Sequence, residues 1–394
     1  MSSREVVVVG AARTAIGTFG GSLRDVPLTE LGTTVVRAAL LRSGAEAGDI
    51  GQVVMGNVIP TEPRDGYLSR VSAMDAGIPK ETPAFNVNRL CGSGLQAIIC
   101  AAQSIMLGDA DLAVGGGAES MSRGPYIAEA VRWGKRMGDS QITDYMNGIL
   151  HDPWQRIHMG VTAENVAERY SISRQEQDEL ALESQRRAAA AIDDGRFKRQ
   201  IVPVTVKSRL GVVEFDTDEH VRQSVTVDAL SKMKPVFKES GSVTAGNSSG
   251  INDGAAALIL ADAGKAAAMG LKPLARLVGY AHAGVEPEYM GIGPVPATRF
   301  VMQRTGLKVS DMDVIEANEA FAAQTCAVAK VLDFDPRKLN PNGSGISLGH
   351  PLGATGAILS VKAIYELHRT AGRYALVTMC IGGGQGVAAI YERV

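Results

Sequence analysis

The length, composition and charge of this chain are those of an ordinary globular protein, and they exclude several classes. It has 394 residues, of which 45% are hydrophobic and 21% are charged, so a disordered chain is excluded. A formal net charge of −2 provides no basic excess for binding nucleic acid. A chain of this length is expected to fold as two or three packed units.

The cysteines and the N-terminal segment bear on the cellular compartment. Cys91, Cys100, Cys326 and Cys380 are too few for a disulfide framework in so long a chain, and none forms a CxxC metal pair. The valine run Val6–Val9 is too short for the core of a signal peptide, and we expect no apolar stretch of membrane-spanning length. We therefore predict a cytoplasmic protein.

Short apolar segments alternate with helical ones through the first 120 residues. Val6–Val9 and Val53–Met55 are typical of buried strands, and the segment around Leu31–Leu41 is typical of a helix. A second helix, predicted over Gly94–Leu107, is apolar or small nearly all round, which favours burial between layers. The alternation predicts parallel sheets covered by helices.

The pattern changes over residues 121–250. This segment contains both tryptophans, Trp133 and Trp154, and a charged helix with Ser173 as N-cap and Glu176 three residues later. It has no counterpart elsewhere in the chain, so we interpret it as an insertion. Loops on a rigid scaffold usually carry specificity, which favours substrate binding, and an oligomerisation or solubility insert is the alternative.

The chain also contains an internal repeat with an offset of roughly 260 residues. The segment "RSGAEAGDIGQVVMGN" from Arg42 is echoed by "RTGLKVSDMDVIEANE" from Arg304. "CGSGLQAIICAAQSI" is echoed by "HPLGATGAILSVKAI", and "DADLAVGGGAES" by "RYALVTMCIGGGQG". Because order and offset are both kept, the repeat predicts two halves related by a pseudo-twofold axis.

These segments define the predicted architecture, a layered α/β/α/β/α body in the α/β class. The N-terminal half is expected over residues 1–120 and is completed by about 251–275. The inserted loop domain occupies 121–250 and is expected to contribute substrate binding and oligomer contacts, and the C-terminal half occupies 276–394.

Cys91 lies where an apolar strand ends and a helix begins, in "NRLCGSGLQAIICAAQSIML". The free amides and positive dipole end of a helix stabilise an anion, which predicts a thiol pKa lowered toward the thiolate. Gly92 and Gly94 allow backbone amides to approach a reacting carbonyl closely. Cys91 is therefore a candidate nucleophile, with a buried structural cysteine as the alternative, whereas Cys100 in mid-helix is interpreted as structural.

His350 and Cys380 are the candidate partners of this thiol. His350 occupies the repeat position that Cys91 holds in the first half, so the two helix starts would converge and form a Cys–His pair. Cys380 ends a strand and could carry a proton, while Gly382 after it could offer its amide to an oxyanion. A disulfide between Cys91 and Cys380 is the competing interpretation, and a reducing compartment favours catalysis.

Asn318 and Glu319 lie where a strand turns into a helix. Asn318 is equally compatible with a helix N-cap and with holding a catalytic water, and Cys326 further along is interpreted as core. The glycine loops do not bind a nucleotide by a known pattern, because "GSGISLG" lacks a third glycine at the dinucleotide spacing and no GKS or GKT loop is present. Any nucleotide is expected to contact the insert.

Taken in order, "CGSG", "NEAF", "GHP" and "CIGGGQG" resemble the thiolase family over essentially the whole chain. The resemblance is closest to bacterial biosynthetic acetyl-CoA acetyltransferases and to the broad-specificity β-ketothiolases of polyhydroxyalkanoate synthesis. It implies reversible Claisen condensation of acetyl-CoA with acetyl-CoA or a short acyl-CoA, giving a 3-ketoacyl-CoA and CoA. A degradative 3-ketoacyl-CoA thiolase of fatty-acid oxidation is the alternative, although such members more often carry "CSSG".

The resemblance also implies a ping-pong mechanism. Cys91 would be the acylated nucleophile, activated by His350, and Cys380 would remove a proton from the α-carbon of the second acetyl-CoA. One oxyanion hole would use the amides of Cys91 and Gly382, and the other would use His350 and a water held by Asn318. One preorganised donor of this kind can contribute roughly 3–4 kcal/mol.

A set of substrate-binding residues follows from the same resemblance. Arg222 is expected to bind the adenine and phosphate end of CoA. The acyl and pantetheine pocket is expected to involve Leu150, His158, Met159, Phe237, Ala245, Ser249, Met290 and Phe321. CoA itself is the carrier, so no separate cofactor or metal is implied, and the usual assembly is a homotetramer built as a dimer of dimers.

One departure from the family and two rival functions complete the analysis. "NGSGISLGHP" carries Ser344 and Ser347 where many members have "NGGAIALGHP", which adds hydroxyls near the site. A decarboxylating enzyme acting on malonyl thioesters would need no second thiol, so Cys380 argues against it. A non-catalytic acyl-CoA or lipid carrier on the same fold is also conceivable. The presence of all four candidate catalytic side chains argues against it, namely Cys91, Asn318, His350 and Cys380.

Overall fold

The computed structural model describes residues 4–208 and 211–394, which form fourteen β-strands and twelve α-helices. The strands are β1 (Val6–Arg13), β2 (Gly17–Thr18), β3 (Ile50–Gly56), β4 (Ala84–Val87), β5 (Leu112–Ser120), β6 (Tyr126–Ile127), β7 (Thr143–Asp144), β8 (Val204–Ser208), β9 (Gly211–Phe215), β10 (Asn252–Asp262), β11 (Ala275–Gly284), β12 (Val314–Ala317), β13 (Tyr374–Ile381) and β14 (Gln385–Arg393). The helices are α1 (Leu28–Ser43), α2 (Leu68–Asp75), α3 (Ser93–Leu107), α4 (Tyr145–Ile149), α5 (Met159–Tyr170), α6 (Arg174–Asp193), α7 (Val227–Ser231), α8 (Ala263–Ala268), α9 (Pro294–Thr305), α10 (Ala322–Leu332), α11 (Gly345–Leu348) and α12 (Leu352–Thr370).

Local sequence explains where several helices begin and end. Helices α1, α3 and α9 end at Gly44, Gly108 and Gly306, whose φ angles of 74°, 87° and 72° lie in the left-handed region that favours glycine. Helix α6 begins with the predicted capping box, because Ser173 accepts from the Glu176 amide and the Glu176 carboxylate accepts in return.

The central sheet is built from two halves with matching topology. Its strand order is β12-β13-β14-β11-β1-β10-β5-β3-β4, with the short β2 paired to β10. In one half β1, β10 and β5 are antiparallel and β5 is parallel to β3. In the other half β11, β14 and β13 are antiparallel and β13 is parallel to β12. The predicted pseudo-twofold relation is therefore visible in the strand pairing.

The prediction of parallel sheets was wrong for most of the strand pairs. Strands β13 and β14 are joined by the three residues Gly382–Gly384, and so short a connection can only bring the chain back antiparallel. Strand β10 returns from the insert and also pairs antiparallel on both sides. A sequence pattern in which apolar segments alternate with helices does not indicate which strands run antiparallel to their neighbours.

Helices α3 and α12 pack against each other between the two halves. Helix α3 contacts β5 and β3, whereas α12 contacts β10 and β5 of one half and β13 of the other. Helix α1 packs against β1 and β10, and α9 packs against β11 and β14. The order is therefore helix, sheet, helix, sheet, helix, which confirms the predicted α/β/α/β/α architecture.

The segment Leu90–Leu107 is the longest apolar helix region in the described chain. Its 18 residues have a mean hydropathy of 1.5, enough by length and composition alone to cross a membrane, so the expectation that no stretch reaches that length was wrong. More than half of the segment, 56%, is buried inside the protein. Packing between the two halves of the sheet accounts for its apolar surface.

The third repeat pair was aligned incorrectly at its glycines. Because Val53 pairs with Val114 and Ile315 pairs with Leu376, the strand equivalents of Gly115–Gly117 are residues 377–379, not 382–384. The first three glycines lie inside β5, where helices approach closely. The second three form the turn after β13, and two of them have φ angles of 78° and 79°.

The insert is attached to the core by a buried ion pair. The guanidinium of Arg13, at the end of β1, donates to both carboxylate oxygens of Asp218 at 2.7 and 2.9 Å, and both side chains are fully buried. A bidentate pair of this kind fixes geometry strongly. By contrast Trp133, which is 91% exposed, and the neighbouring hairpin of β6 and β7 lie on the surface.

Candidate active site

Cys91 lies in a tight turn between β4 and α3. Leu90 before it has a φ of 46°, in the left-handed region, which strains the backbone and projects the next side chain outward. The Ser93 hydroxyl braces the turn by donating to the Leu90 carbonyl at 2.6 Å and accepting from the Arg89 amide at 2.8 Å. The thiol is thus held two residues before the helix begins.

The predicted lowering of the Cys91 pKa was wrong. Burial raises the pKa of this thiol to about 11, although hydrogen bonds from the Gly382 amide and from its own amide oppose the rise. The free energy needed to remove the thiolate charge from water is larger here than the stabilisation that the two amide hydrogen bonds provide. The resting nucleophile is therefore a neutral thiol that needs a base.

His350 provides a base in the correct protonation state. Its side chain is buried at the entrance to α12, and its backbone amide donates to the Asn252 side chain at 2.9 Å. Burial lowers the pKa of the imidazole to about 4, so the ring is neutral near pH 7. A neutral imidazole can accept a proton, whereas an imidazolium cannot.

Thr355 determines which ring nitrogen of His350 is free. The Thr355 hydroxyl lies 2.7 Å from Nδ1 of His350 and donates its proton to the Pro351 carbonyl at 2.8 Å. Having no second proton, it can only accept from His350, so Nδ1 carries the proton. Nε2 is then the acceptor that could receive a proton from a thiol.

Asn318 contacts the same imidazole. Its Nδ2 lies 3.3 Å from Nε2 and 3.5 Å from Nδ1 of His350, while its fully buried Oδ1 has no hydrogen-bond partner among the described residues. Such an orphaned acceptor is a suitable place for an ordered water. Helix α10 begins only after its N-cap Phe321, so the alternative prediction that Asn318 caps this helix was wrong.

Cys380, the second candidate thiol, ends β13 close to Cys91. Both cysteines are free thiols in the structure rather than a disulfide. Burial and the proximity of Cys91 raise the pKa of Cys380 well above its usual range. Gly382, which follows the strand, donates its amide to the Cys91 sulfur. Two neutral thiols and one neutral imidazole thus line the same cavity.

These groups open onto one cavity of about 390 Å³. Among the predicted residues, those that line it are Cys91, Leu150, His158, Met159, Arg222, Phe237, Ala245, Ser249, Met290, Phe321, His350, Cys380 and Gly382. Asn318 is the one predicted residue outside the lining, and it reaches the site through His350. Cys91 and Cys380, which are 289 positions apart in the chain, are therefore neighbours in space.

One part of the cavity wall is aromatic, and it is formed by His158 and Phe237 of the insert together with Phe321. His158 stacks on Phe237 at 4.6 Å between ring centroids, and Phe237 meets Phe321 edge to face at 6.1 Å. Nδ1 of His158 accepts from the Gly160 amide at 3.0 Å, and burial lowers the pKa of His158 to about 4. The ring is therefore neutral, with its N–H on Nε2 available as a donor.

Arg222 provides positive charge at the cavity. Its backbone amide is held by the Gln185 side chain at 2.7 Å, which ties the segment to helix α6. Its side chain makes no ion pair within residues 4–208 and 211–394. It also lines a second, shallower depression with Val221 and Val225. An unpaired guanidinium at this position suits a phosphate ligand.

Comparison with known proteins covers both halves of the chain. Residues 6–264 match the family model for the thiolase N-terminal domain, and residues 271–393 match that for the thiolase C-terminal domain. This chain belongs to the thiolase family. The resemblance predicted from its four short motifs is confirmed.

Two curated relatives match this thiolase along its length. The β-ketothiolase BktB of Cupriavidus necator is 66% identical over 393 residues, covering 100% of both chains. The acetyl-CoA acetyltransferase of Chromobacterium violaceum is 50% identical over 391 residues, covering 99% of this chain and 100% of the relative.

Solved structures share the fold over the same extent. Human mitochondrial 3-ketoacyl-CoA thiolase has a TM-score of 0.98 at 44% identity and covers 99% of each chain. The acetyl-CoA acetyltransferase of Bacillus anthracis has a TM-score of 0.97 at 45% identity and covers 100% of this chain and 99% of its own. Differences among these thiolases therefore reside in side chains rather than in architecture.

Sequence reasoning missed the apolar wall beside the nucleophile of this thiolase. Val58, Ile59, Met121 and Leu352 form a buried cluster that packs against Cys91. Met121 directly follows β5, which ends at residue 120, and Val58 and Ile59 lie two and three residues after β3, which ends at residue 56. Positions just after the ends of parallel strands commonly form binding sites, and that signal could have identified them.

Proposed function

We propose that this thiolase condenses acetyl-CoA with acetyl-CoA or a short acyl-CoA to give a 3-ketoacyl-CoA and CoA, reversibly. The observation that supports this most directly is the convergence of Cys91, His350 and Cys380 on one cavity. One thiol and one base suffice for acyl transfer, and a second thiol is required only if a carbon acid must also lose a proton.

In the first half-reaction, the Cys91 thiol attacks the carbonyl carbon of acetyl-CoA while its proton passes to Nε2 of His350. The oxyanion that forms is opposite the amides of Cys91 and Gly382, which stabilise it. The carbon–sulfur bond to CoA then breaks, and the departing CoA sulfur takes the proton of Cys380. Acetylated Cys91, free CoA, a His350 imidazolium and a Cys380 thiolate result.

In the second half-reaction, the Cys380 thiolate removes a proton from the methyl group of a second acetyl-CoA. The resulting enolate oxygen is stabilised by the His350 imidazolium and by a water held by Asn318. Its carbon attacks the acetyl group on Cys91, and the tetrahedral intermediate expels the Cys91 thiolate. That thiolate recovers the proton from His350, so all three groups return to their starting states.

CoA thioesters are the substrates in this proposal, and no further cofactor is required. Within the described residues, no group of three or more His, Cys, Asp or Glu side chains could hold a metal ion. The aromatic wall of the insert would contact the pantetheine arm, and Arg222 would contact the phosphate end. The relatives named β-ketothiolase and acetyl-CoA acetyltransferase favour the biosynthetic direction over degradation. The proposal includes a role in short-chain β-ketoacyl-CoA or polyhydroxyalkanoate precursor synthesis, in the cytoplasm.

We also propose that the protein is a homotetramer. The hairpin of β6 and β7 and the loop between its strands carry exposed large apolar side chains, which monomeric proteins avoid. These side chains are Tyr126, Val131, Trp133, Met137 and Ile142. Light scattering coupled to size exclusion would measure the assembly, and a monomeric or dimeric mass would contradict the proposal.

The covalent intermediate provides the decisive test of the reaction. Protein mixed with acetyl-CoA and quenched in acid should carry one acetyl group per chain, on the peptide that contains Cys91. A chain that binds CoA but stays unmodified would support a carrier instead. Consumption of malonyl-CoA without acetyl-CoA would support a decarboxylating enzyme.

The Cys380→Ala variant separates the two half-reactions. It should still be acetylated on Cys91, because water can protonate the departing CoA more slowly, yet it should form no 3-ketoacyl-CoA. Loss of both steps in a folded variant would contradict the assigned roles.

A further inference from the structure

Glu119 is a fully buried carboxylate in β5 that the mechanism above does not use. It accepts four hydrogen bonds from N–H donors. Oε1 accepts from Asn57 Nδ2 at 2.8 Å and from the Ile59 amide at 3.0 Å. Oε2 accepts from the Val58 amide at 3.1 Å and from the Gly353 amide at 2.7 Å.

One of the four donors belongs to α12, the helix that begins two residues after His350. Gly353 lies in the first turn of α12, three residues after His350, and the N-cap Pro351 supplies no side-chain cap. The amides of a first helical turn have no partner within the helix and carry the positive end of its dipole. Glu119 therefore caps α12 from a strand of the other half.

The other three donors belong to the segment beside Cys91. The Asn57 backbone amide donates to the Val87 carbonyl at 3.1 Å, at the end of the strand that leads into the nucleophile turn. Val58 and Ile59 are part of the buried cluster that packs against Cys91. One carboxylate thus joins the wall of the nucleophile to the helix of the base.

The hydrogen bonds to Glu119 require close packing at Gly353 and an ionised carboxyl group. A Cβ on residue 353 would lie 2.7 Å from Oε2 of Glu119 and 2.9 Å from Cα of Asn57, so only glycine fits. All four partners are donors, so a proton on the carboxyl group would have no acceptor. The carboxylate form is the one that can make the complete set of bonds.

We propose that Glu119 is a positioning residue for acyl transfer, which holds the start of α12, and hence His350, at the correct distance from Cys91. The inference rests on the proposed function, because it assigns Glu119 a part in the proton transfer between these two residues. A base displaced by about 1 Å can lose roughly a hundredfold in rate.

The charged and titratable groups around Glu119 are few in the described chain. Asp253 interacts with it electrostatically from β10 and Cys91 does so from the turn before α3, whereas residues 57–59 contribute none. At the start of α12, the titratable residue nearest in sequence to the Gly353 contact is His350. Burial raises the pKa of Glu119 to about 8 and that of Asp253 to about 6. The pKa of Cys91 is about 11 and that of His350 about 4. A titration near pH 8 would therefore report on Glu119.

The experiment compares Glu119→Gln, Glu119→Asp and the control Asp65→Asn by steady-state kinetics with acetyl-CoA across pH. Asp65 is also a buried carboxylate. It accepts hydrogen bonds from the amides of Thr61 and Glu62, and none of its hydrogen bonds within the described residues involves α12. In Glu119→Gln we expect kcat to fall roughly 100-fold at pH 9 and less than about tenfold at pH 6.5, because protonation already weakens the wild type. KM should stay within about threefold, since the residues lining the CoA side of the cavity are untouched.

The wild-type kcat should rise with a midpoint near pH 8 that Glu119→Gln lacks, while Asp65→Asn keeps the wild-type profile. Equal kcat in wild type and Glu119→Gln at pH 9, or an unchanged pH profile in that variant, would overturn the proposal. If Glu119→Gln does not fold, Glu119→Asp decides: a folded variant with undiminished kcat overturns it, and reduced kcat at unchanged KM supports it. Acetylation of wild-type Cys91 is measured alongside, so that failure of the reaction itself is recognised separately.

Discussion

Burial, and not the helix dipole, sets the protonation of the reacting groups. It raises the pKa of the Cys91 thiol to about 11 and lowers the pKa of His350 to about 4, so both are neutral at pH 7. A proton must therefore move between them as the thiol attacks. The hydrogen bonds that orient the imidazole therefore control this proton transfer, above all the one from Nδ1 of His350 to Thr355.

Replacing Thr355 tests whether its single hydrogen bond orients the imidazole of His350. In Thr355→Val the Nδ1–H of His350 loses its acceptor in a buried site, which costs about 1–3 kcal/mol. The ring can then turn or change tautomer, and kcat should fall by about 10- to 100-fold with little change in KM. Steady-state kinetics with acetyl-CoA would measure both parameters.

The conservative variant Thr355→Ser is the matched control. It keeps the hydroxyl and should retain most of the wild-type kcat. A valine variant as active as the serine variant would show that the tautomer is set by some other group.

At the scale of elements, glycines in β5 allow helices to pack against the strand at unusually short distance. A Cβ on Gly115 would lie 2.6 Å from Cα of Ile98 in α3, and one on Gly117 would lie 2.1 Å from the Gly353 carbonyl in α12. Neither neighbour is a flexible side chain, so no local adjustment relieves the clash. The strand thereby sets the positions of both helices whose starts bear on the chemistry.

Gly117→Ala should therefore affect stability and activity together. We expect the free energy of unfolding to fall by about 1–3 kcal/mol, because the added methyl group overpacks a rigid contact. Displacement of α12 should also lower kcat. Urea denaturation and steady-state kinetics would measure the two effects.

Gly48→Ala is the matched control, because a Cβ at that position meets nothing within 4 Å. Its free energy of unfolding should remain within about 0.5 kcal/mol of wild type. Equal stability of the two variants would mean that α12 can shift without cost.

At the scale of the whole molecule, buried titratable groups lower the free energy of unfolding at both acidic and alkaline pH. Burial lowers the pKa of four histidines to about 4, namely His158, His220, His282 and His350. It raises the pKa of Asp253 to about 6 and that of Glu119 to about 8. The histidines belong to the insert and the C-terminal half, and the two acids belong to the N-terminal half.

The free energy of unfolding should be greatest near about pH 6.5. The folded state binds fewer protons than the unfolded state at the histidines, so stability falls as pH drops from about 6.5 to about 4. It binds more protons at Glu119, whose pKa is raised, so stability also falls as pH rises from about 6.5 to about 8. Urea denaturation over a series of pH values would measure the curve.

Glu119→Gln removes the acid with the higher pKa of these two, about 8 against about 6 for Asp253, and should flatten the alkaline side of this curve. An alkaline side identical to that of wild type would contradict the pKa assigned to Glu119.

Much of the fold and half of the cavity lining, 13 of its 26 residues, could be predicted from the sequence, because the signals are local or repeated. Motifs such as the one around His350 occur in the order and at the spacing found in the family. The constant offset between repeated segments revealed the two halves. The antiparallel return of β10, the short turn after Cys380 and the register of Gly115–Gly117 could not be predicted. They depend on which strands pair, and pairing is decided by contacts distant in the chain.

The sequence by itself determined the family, the pseudo-twofold halves and the identity of the thiols and the imidazole that meet at the cavity. Only the tertiary structure decided their protonation, the tautomer of His350 and the carboxylate that ties its helix to the nucleophile. The physical reason is that a pKa and a hydrogen-bond partner depend on which groups exclude water from a site. For Cys91 those groups come from segments as distant as Val58 and Gly382, which only folding brings together.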